Sequence, residues 1–145
     1  MYHTPGDDGY WAVRDEGAYL DDEPISVSSV EHLDRAVVAL EYSPDELVSG
    51  HALDTIGALT AGARRTRHMG SSASELAMLA RGVFDGLVGT RFQPWDVAAG
   101  HLPVAEAGGE VTHLGGADRS GRYVVSNGAI HDELRECLGE SLEER

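Results

Sequence analysis

Lysine is absent from this chain. All 11 basic residues are arginines, set against 25 aspartates and glutamates, for a formal net charge of −14. A surface this acidic repels phosphate backbones, which argues against a nucleic-acid partner. Its self-repulsion destabilises a compact state at low salt, whereas at about 1 M salt the Debye length falls to roughly 3 Å and the repulsion is screened. The composition is therefore halophile-like. The acids are spread through the chain, as a solvated surface rather than a set of metal ligands. No run of about 18 apolar residues occurs, so no transmembrane helix is expected. The opening "MYHTPGDDGYW" has neither the basic stretch nor the apolar segment of a secretory signal. Cysteine occurs once, at Cys137, which excludes an internal disulfide and suits a reducing cytoplasm, the expected location. Cys137 shares a helical stripe with Ile130, Leu134 and Leu138, as a small core hydrophobe does. The seven histidines, at 3, 32, 51, 68, 101, 113 and 131, form no i, i+4 pair and no H-E-x-x-H, and read as surface or singly satisfied side chains. Nucleophile elbow, Walker loop and dinucleotide fingerprint are all missing.

What is present reads as one α/β domain over residues 1–145, with sheets and helices in layers and no internal repeat. A chain of this length buries about 68–70% of its unfolded surface. Residues 9–20 are two short apolar-aromatic runs broken by Asp15-Glu16-Gly17, a hairpin pattern. Strands are expected at 24–29 and 36–43, the second nearly continuous in apolar residues and so buried on both faces. A helix is expected over 44–63, entered through Ser-Pro-Asp-Glu. Another, over 71–85, carries Ala73, Leu76, Ala77, Ala80, Val83 and Phe84 on one face, with Ser72 and Glu75 as a capping box. A strand at 86–90 follows, then a helix opened by Pro94 and closed by Gly108-Gly109 at the left-handed exit position. Two strands, "GEVTHL" and "RYVVSNG", flank the glycine-rich loop 115–121, and an amphipathic helix over about 129–142 ends the chain.

Two local features ask for more than structure. Asp96 lies in the first turn of the Pro94 helix. There a carboxylate is either a favourable charge at the positive helix end, worth roughly 0.3–1 kcal/mol, or a ligand for a hard cation such as Mg²⁺. Gly70-Ser71-Ser72 is unusually small just before a helix that its apolar stripe already explains.

The segments "RHMGSSASELAMLARGVFDG", "PWDVAAG" and "EAGGEV", in that order, resemble the C-terminal half of the inositol monophosphatase family. That superfamily of Mg²⁺-dependent, Li⁺-sensitive phosphatases includes fructose bisphosphatases. The resemblance extends to "GAYLDDEPISVSS" and "VVSNGAIHDEL", and so to essentially all of the chain. It implies the family's fold, a phosphate monoester as substrate, Mg²⁺ as cofactor and a homodimer for the full-length protein. It implies Asp96 as a Mg²⁺ ligand beside the leaving-group oxygen, and Gly70, Ser71 and Ser72 as the wall that meets the sugar or inositol. The smallness of that wall then has a reason, since a polyol passes close to the backbone.

Three departures qualify those expectations. The family's D-P-[IL]-D-G-T metal motif and its upstream glutamate do not occur, so the chain resembles the C-terminal portion alone and is expected to hydrolyse nothing by itself. Gly89 stands where inositol-hydrolysing members carry a glutamate, so strict inositol preference is not expected. Pro103 falls inside the expected helix, where it would cost about 3 kcal/mol or impose a kink. The alternative to a phosphatase is a non-catalytic remnant that survives as a partner-binding subunit.

Overall fold

The computed structural model describes residues 2–3, 8–50, 52–98, 100–115 and 121–139. Tyr2–His3 (β1), Gly9–Val13 (β2), Gly17–Leu20 (β3) and Glu23–Ile25 (β4) pair in chain order as an antiparallel sheet. The expected hairpin is its centre. Asp15 and Gly17 take the left-handed conformation at its turn, and Trp11 stacks on Tyr19 across the pair at 4.3 Å. The strand expected over 24–29 stops at Ile25, after which Val27 N–H bonds to Ala107 O instead of a strand partner.

The second sheet contains Val37–Glu41 (β5), Arg65–Arg67 (β6), Gly86–Phe92 (β7), Glu110–Gly115 (β8) and Gly121–Ser126 (β9), in the order β6-β5-β7-β9-β8. β6, β5 and β7 run parallel, and β9 and β8 add antiparallel. β6 was not expected, because "RTR" has no apolar alternation. Its charged side chains suit an edge strand, which they protect from further pairing. The period-2 pattern sorts the sheet's two faces. Val38, Leu40, Val88 and Val124 pack on one side against Leu59, Ile130, Leu134 and Leu138. Ala39, Leu87 and Val125 pack on the other against Leu76, Leu79, Ala80, Phe84 and Val104.

Three helices are shorter than their patterns suggested, and glycine accounts for each. Residues 44–63 form two helices, Pro44–Ser49 (α1) and Leu53–Gly62 (α2), separated where Gly50 turns left-handed at φ 85°. Ser72–Ala80 (α3) ends before Gly82, at φ 81°, so Val83 leaves the apolar stripe and stands 52% exposed. The Pro94 helix divides into Pro94–Ala98 (α4) and His101–Glu106 (α5) around Gly100. A Cβ on Gly100 would lie 2.5 Å from Leu76 Cδ1, so the close approach of this corner to α3 requires glycine. The break corrects the reading of Pro103. It is the third residue of α5, and the N–H groups of a helix's first turn have no intrahelical partner, so its missing donor costs nothing.

The glycines after α5 behave as expected: Gly108 is left-handed at φ 94°, and a Cβ on Gly109 would meet Val104 and the Ser126 carbonyl. Glu106, the acid of "EAGG", is architectural. Its two oxygens accept from Asp15 N–H at 3.0 Å and Gly17 N–H at 3.2 Å, tying α5 to the β2–β3 turn. The "VSS" and "SNG" stretches are similarly engaged: Asp85 accepts from Ser28 Oγ and Val37 N–H, while Asn127 Nδ2 donates to Ser28 Oγ and Val30 O. His131–Leu138 (α6) covers the far face. Cys137 on it is half-buried, donates to Ala58 O at 3.3 Å, and has its thiol pKa raised by burial, as a small core side chain should. Loop residues 116–120 and the expected helix end beyond 139 lie outside the described residues. Among the described residues no helix is long and apolar enough to cross a membrane.

Candidate functional site

A cleft of about 430 Å³ opens where the carboxyl ends of β5 and β7 meet the start of α3, the usual place for ligands in an open α/β sheet. Gly70, Ser71, Ser72 and Asp96 all line it, together with Glu41, Tyr42, Arg91 and Trp95. The four residues singled out in the sequence are thus brought together by the return of the chain through β7.

Each has a structural role as well. Gly70 is left-handed at φ 74°, and nothing lies within 4 Å of where its Cβ would be, so the backbone faces open space. Ser71, not Ser72, caps α3. Its Oγ accepts from Ser74 N–H at 3.4 Å, and the capping box expected between Ser72 and Glu75 does not form. Asp96 Oδ2 accepts from Gln93 N–H at 2.8 Å, the return bond of a helix-start carboxylate. The cap is therefore made, through Oδ2, on a residue that lines the cleft.

Glu75 does something the sequence did not announce. It is fully buried, and its Oε1 accepts from Met69 N–H at 2.9 Å. Burial pushes its pKa up from 4.5 to about 8, and the Glu41 carboxylate beside it adds to the rise, against the pull of the Met69 N–H. Glu41 ends β5 on the same sheet face and accepts from Gly70 N–H at 2.9 Å. His68 lies over both. Its Nδ1 is 2.8 Å from Leu40 O and 3.3 Å from Glu41 Oε1, and its ring stacks on Tyr42 at 4.4 Å. The available signal was acids inside apolar patterns: Glu41 closes "VVALE", and Glu75 precedes "LAMLA".

Other polar groups shape the rim. Glu46 accepts from Ser43 N–H, Ser43 Oγ and Thr90 Oγ1, holding the turn after β5 against β7. Arg91 pairs with Asp45 at 3.3 Å on the exposed side. Gly89 is the register partner of Glu41, and a Cβ there would fall 2.5 Å from Phe92 Cζ. The Phe92 ring fills the space a side chain at 89 would need. His131, by contrast, is a satisfied core histidine. It bonds Ser126 Oγ at 2.9 Å and Thr112 Oγ1 at 2.8 Å, and burial lowers its pKa.

The fold and this cleft define the class, an inositol monophosphatase-type α/β domain. Inositol monophosphatase from Anabaena (Nostoc) superimposes with a TM-score of 0.85 at 31% identity, over 92% of this chain and 54% of that one. The Thermotoga maritima structure superimposes with a TM-score of 0.81 at 31% identity, over 97% and 55%. All of residues 1–145 match the inositol monophosphatase family, and the protein belongs to it. Curated relatives agree. The fructose-1,6-bisphosphatase/inositol-1-monophosphatase of Thermotoga maritima is 34% identical, over 99% of this chain and 56% of that protein. A putative Nus factor SuhB of Neisseria meningitidis serogroup B is 36% identical, over 95% and 54%. The chain therefore spans about half the length of the curated relatives it matches.

Proposed function

We propose that residues 1–145 are the C-terminal portion of a Mg²⁺-dependent phosphate monoester hydrolase acting on an inositol phosphate or a sugar phosphate such as fructose bisphosphate. The observation that carries this reading is the joint lining of one cleft by Gly70, Ser71, Ser72 and Asp96. The donors fit Mg²⁺, which takes hard oxygens, commonly one or two carboxylates completed by water and substrate phosphate. Asp96 would hold the ion through the oxygen its cap does not use. When bound, Mg²⁺ supplies charge stabilisation to the phosphoryl oxygens and a more acidic water. Gly70, Ser71 and Ser72 receive the polyol, the glycine by leaving its side of the wall open and the serines through their hydroxyls. With Phe92 occupying the place beside Gly89, no carboxylate at 89 can select for inositol hydroxyls, which favours a broader sugar-phosphate range. The remaining metal ligands would come from an amino-terminal half like that of the relatives, and the complete enzyme is a cytoplasmic homodimer.

A second reading, a partner-binding subunit without turnover, draws support from Trp95, which stands 73% exposed on the cleft wall. One experiment separates the two. The chain is joined to the amino-terminal half of a relative, and phosphate release from inositol phosphate and fructose bisphosphate is measured at roughly 10–20 mM Mg²⁺. Turnover should appear only in the joined protein. Asp96→Asn keeps a capping side chain, so it should lower turnover by orders of magnitude with little change in melting temperature. Near-normal turnover of Asp96→Asn would return Asp96 to the cap alone. No turnover in any form would favour the partner-binding subunit.

A further inference from the structure

Three side chains that the phosphatase reading leaves unused gather beside the cleft: Glu41 at the end of β5, which lines it, His68 after β6 and Glu75 on α3. Each offers a ligand atom, and these atoms all lie within 4.8 Å of one another. On so acidic a chain a group of carboxylates would by itself mean little. Glu75 changes that. It is fully buried, Oε1 is taken by Met69 N–H, and no donor reaches Oε2. The side chain facing Glu75 is Glu41, another carboxylate. Glu75 is wholly buried and Glu41 half-buried at the cleft, and two carboxylates turned toward each other there favour a cation beside them, a proton or a metal ion. The imidazole favours the metal. His68 is held over the pair by its stack on Tyr42, and Glu41 is held by Gly70 N–H, so the donors are positioned by neighbouring groups as metal ligands characteristically are.

We propose that Glu41, His68 and Glu75 bind a first-row transition-metal dication of the zinc or cobalt type, at a site separate from the Mg²⁺ position assigned to Asp96. One nitrogen and two carboxylate oxygens suit such an ion better than Mg²⁺, which prefers an all-oxygen shell. Ligand bonds of about 2.0–2.2 Å put tetrahedral ligand atoms roughly 3.4 Å apart. From separations of at most 4.8 Å the three side chains need close by only about an ångström or less. Glu41 also lines the cleft, so an ion held there would be reached from the cavity.

The test is a Co²⁺ titration of the metal-stripped chain in molar KCl, followed by the visible d–d absorption of the ion and by Zn²⁺ competition. About one equivalent should bind with the intense bands of a four-coordinate, nitrogen-containing site, be displaced by Zn²⁺, and survive millimolar Mg²⁺. His68→Asn and Glu75→Gln should each weaken binding by at least ~tenfold. Asp96→Asn should leave it unchanged, with circular dichroism confirming that each variant folds. Glu75→Gln keeps a carbonyl oxygen for Met69 N–H, so its fold is expected to hold. Binding that is unaffected in both His68→Asn and Glu75→Gln, that Asp96→Asn abolishes, or that is only weak and non-saturating in the parent chain would overturn the proposal.

Discussion

Replacing Glu75 with glutamine should make the protein less sensitive to pH, by an amount that follows from its surroundings. The carboxyl is buried, its pKa is raised from 4.5 to about 8, and the groups facing it are Glu41, the Met69 N–H and, through Glu41, His68. Between those pH values the folded protein keeps a proton that the unfolded chain releases. The stabilising contribution is therefore complete below about pH 4.5 and is lost as pH rises toward 8, at about 1.4 kcal/mol per pH unit. From pH 5.5 to 7.5 this amounts to roughly 3 kcal/mol. Glutamine imitates the protonated acid at every pH: its oxygen accepts from Met69 N–H, and its amide can donate to Glu41. Parent and Glu75→Gln should melt together near pH 5. By pH 7.5 the variant should melt higher by about 10 °C, at roughly 3–4 °C per kcal/mol for a chain of this size. The measurement is thermal denaturation followed by circular dichroism in about 1 M KCl with a chelator, so that no metal replaces the proton. Parallel melting curves across pH 5–8 would refute the argument, because they would mean that Glu75 enters the fold ionised.

Two further outcomes concern the scaffold and the surface. Gly100→Ala places a Cβ 2.5 Å from Leu76 Cδ1 and 2.7 Å from Leu76 Cβ, so it should destabilise the fold by roughly 1–3 kcal/mol. An unchanged melting temperature would show that the α4–α5 corner can shift away from α3. The net charge of −14 should make the melting temperature climb steeply with KCl up to about 1 M, and equal stability at about 50 mM would defeat the halophile-like reading.

The elements were legible in the sequence wherever one period and one boundary sufficed. The nearly continuous apolar run of Val37–Glu41, the apolar face of α3 and the left-handed Gly108 are properties of a few adjacent residues, and local sterics decide them. The family resemblance singled out Gly70, Ser71, Ser72 and Asp96, and the fold brings all four to one cleft. What the sequence misjudged depended on contacts between distant segments. "RTR" became a strand only because β5 offered it an edge, and Pro103 became harmless only because Leu76 required Gly100 to turn the chain there. Glu106 stood in one of the segments that carry the family resemblance, and its oxygens are spent on Asp15 and Gly17 across the fold. Glu75 read as a helix cap, its commonest use in that position, until α3 packed it against β5 and left it facing Glu41. Periodicity says which face of an element is buried. What a buried polar group meets there depends on the register and packing of chain segments far away, and at Glu41 and Glu75 that packing turned two ordinary acids into a pair that favours a cation.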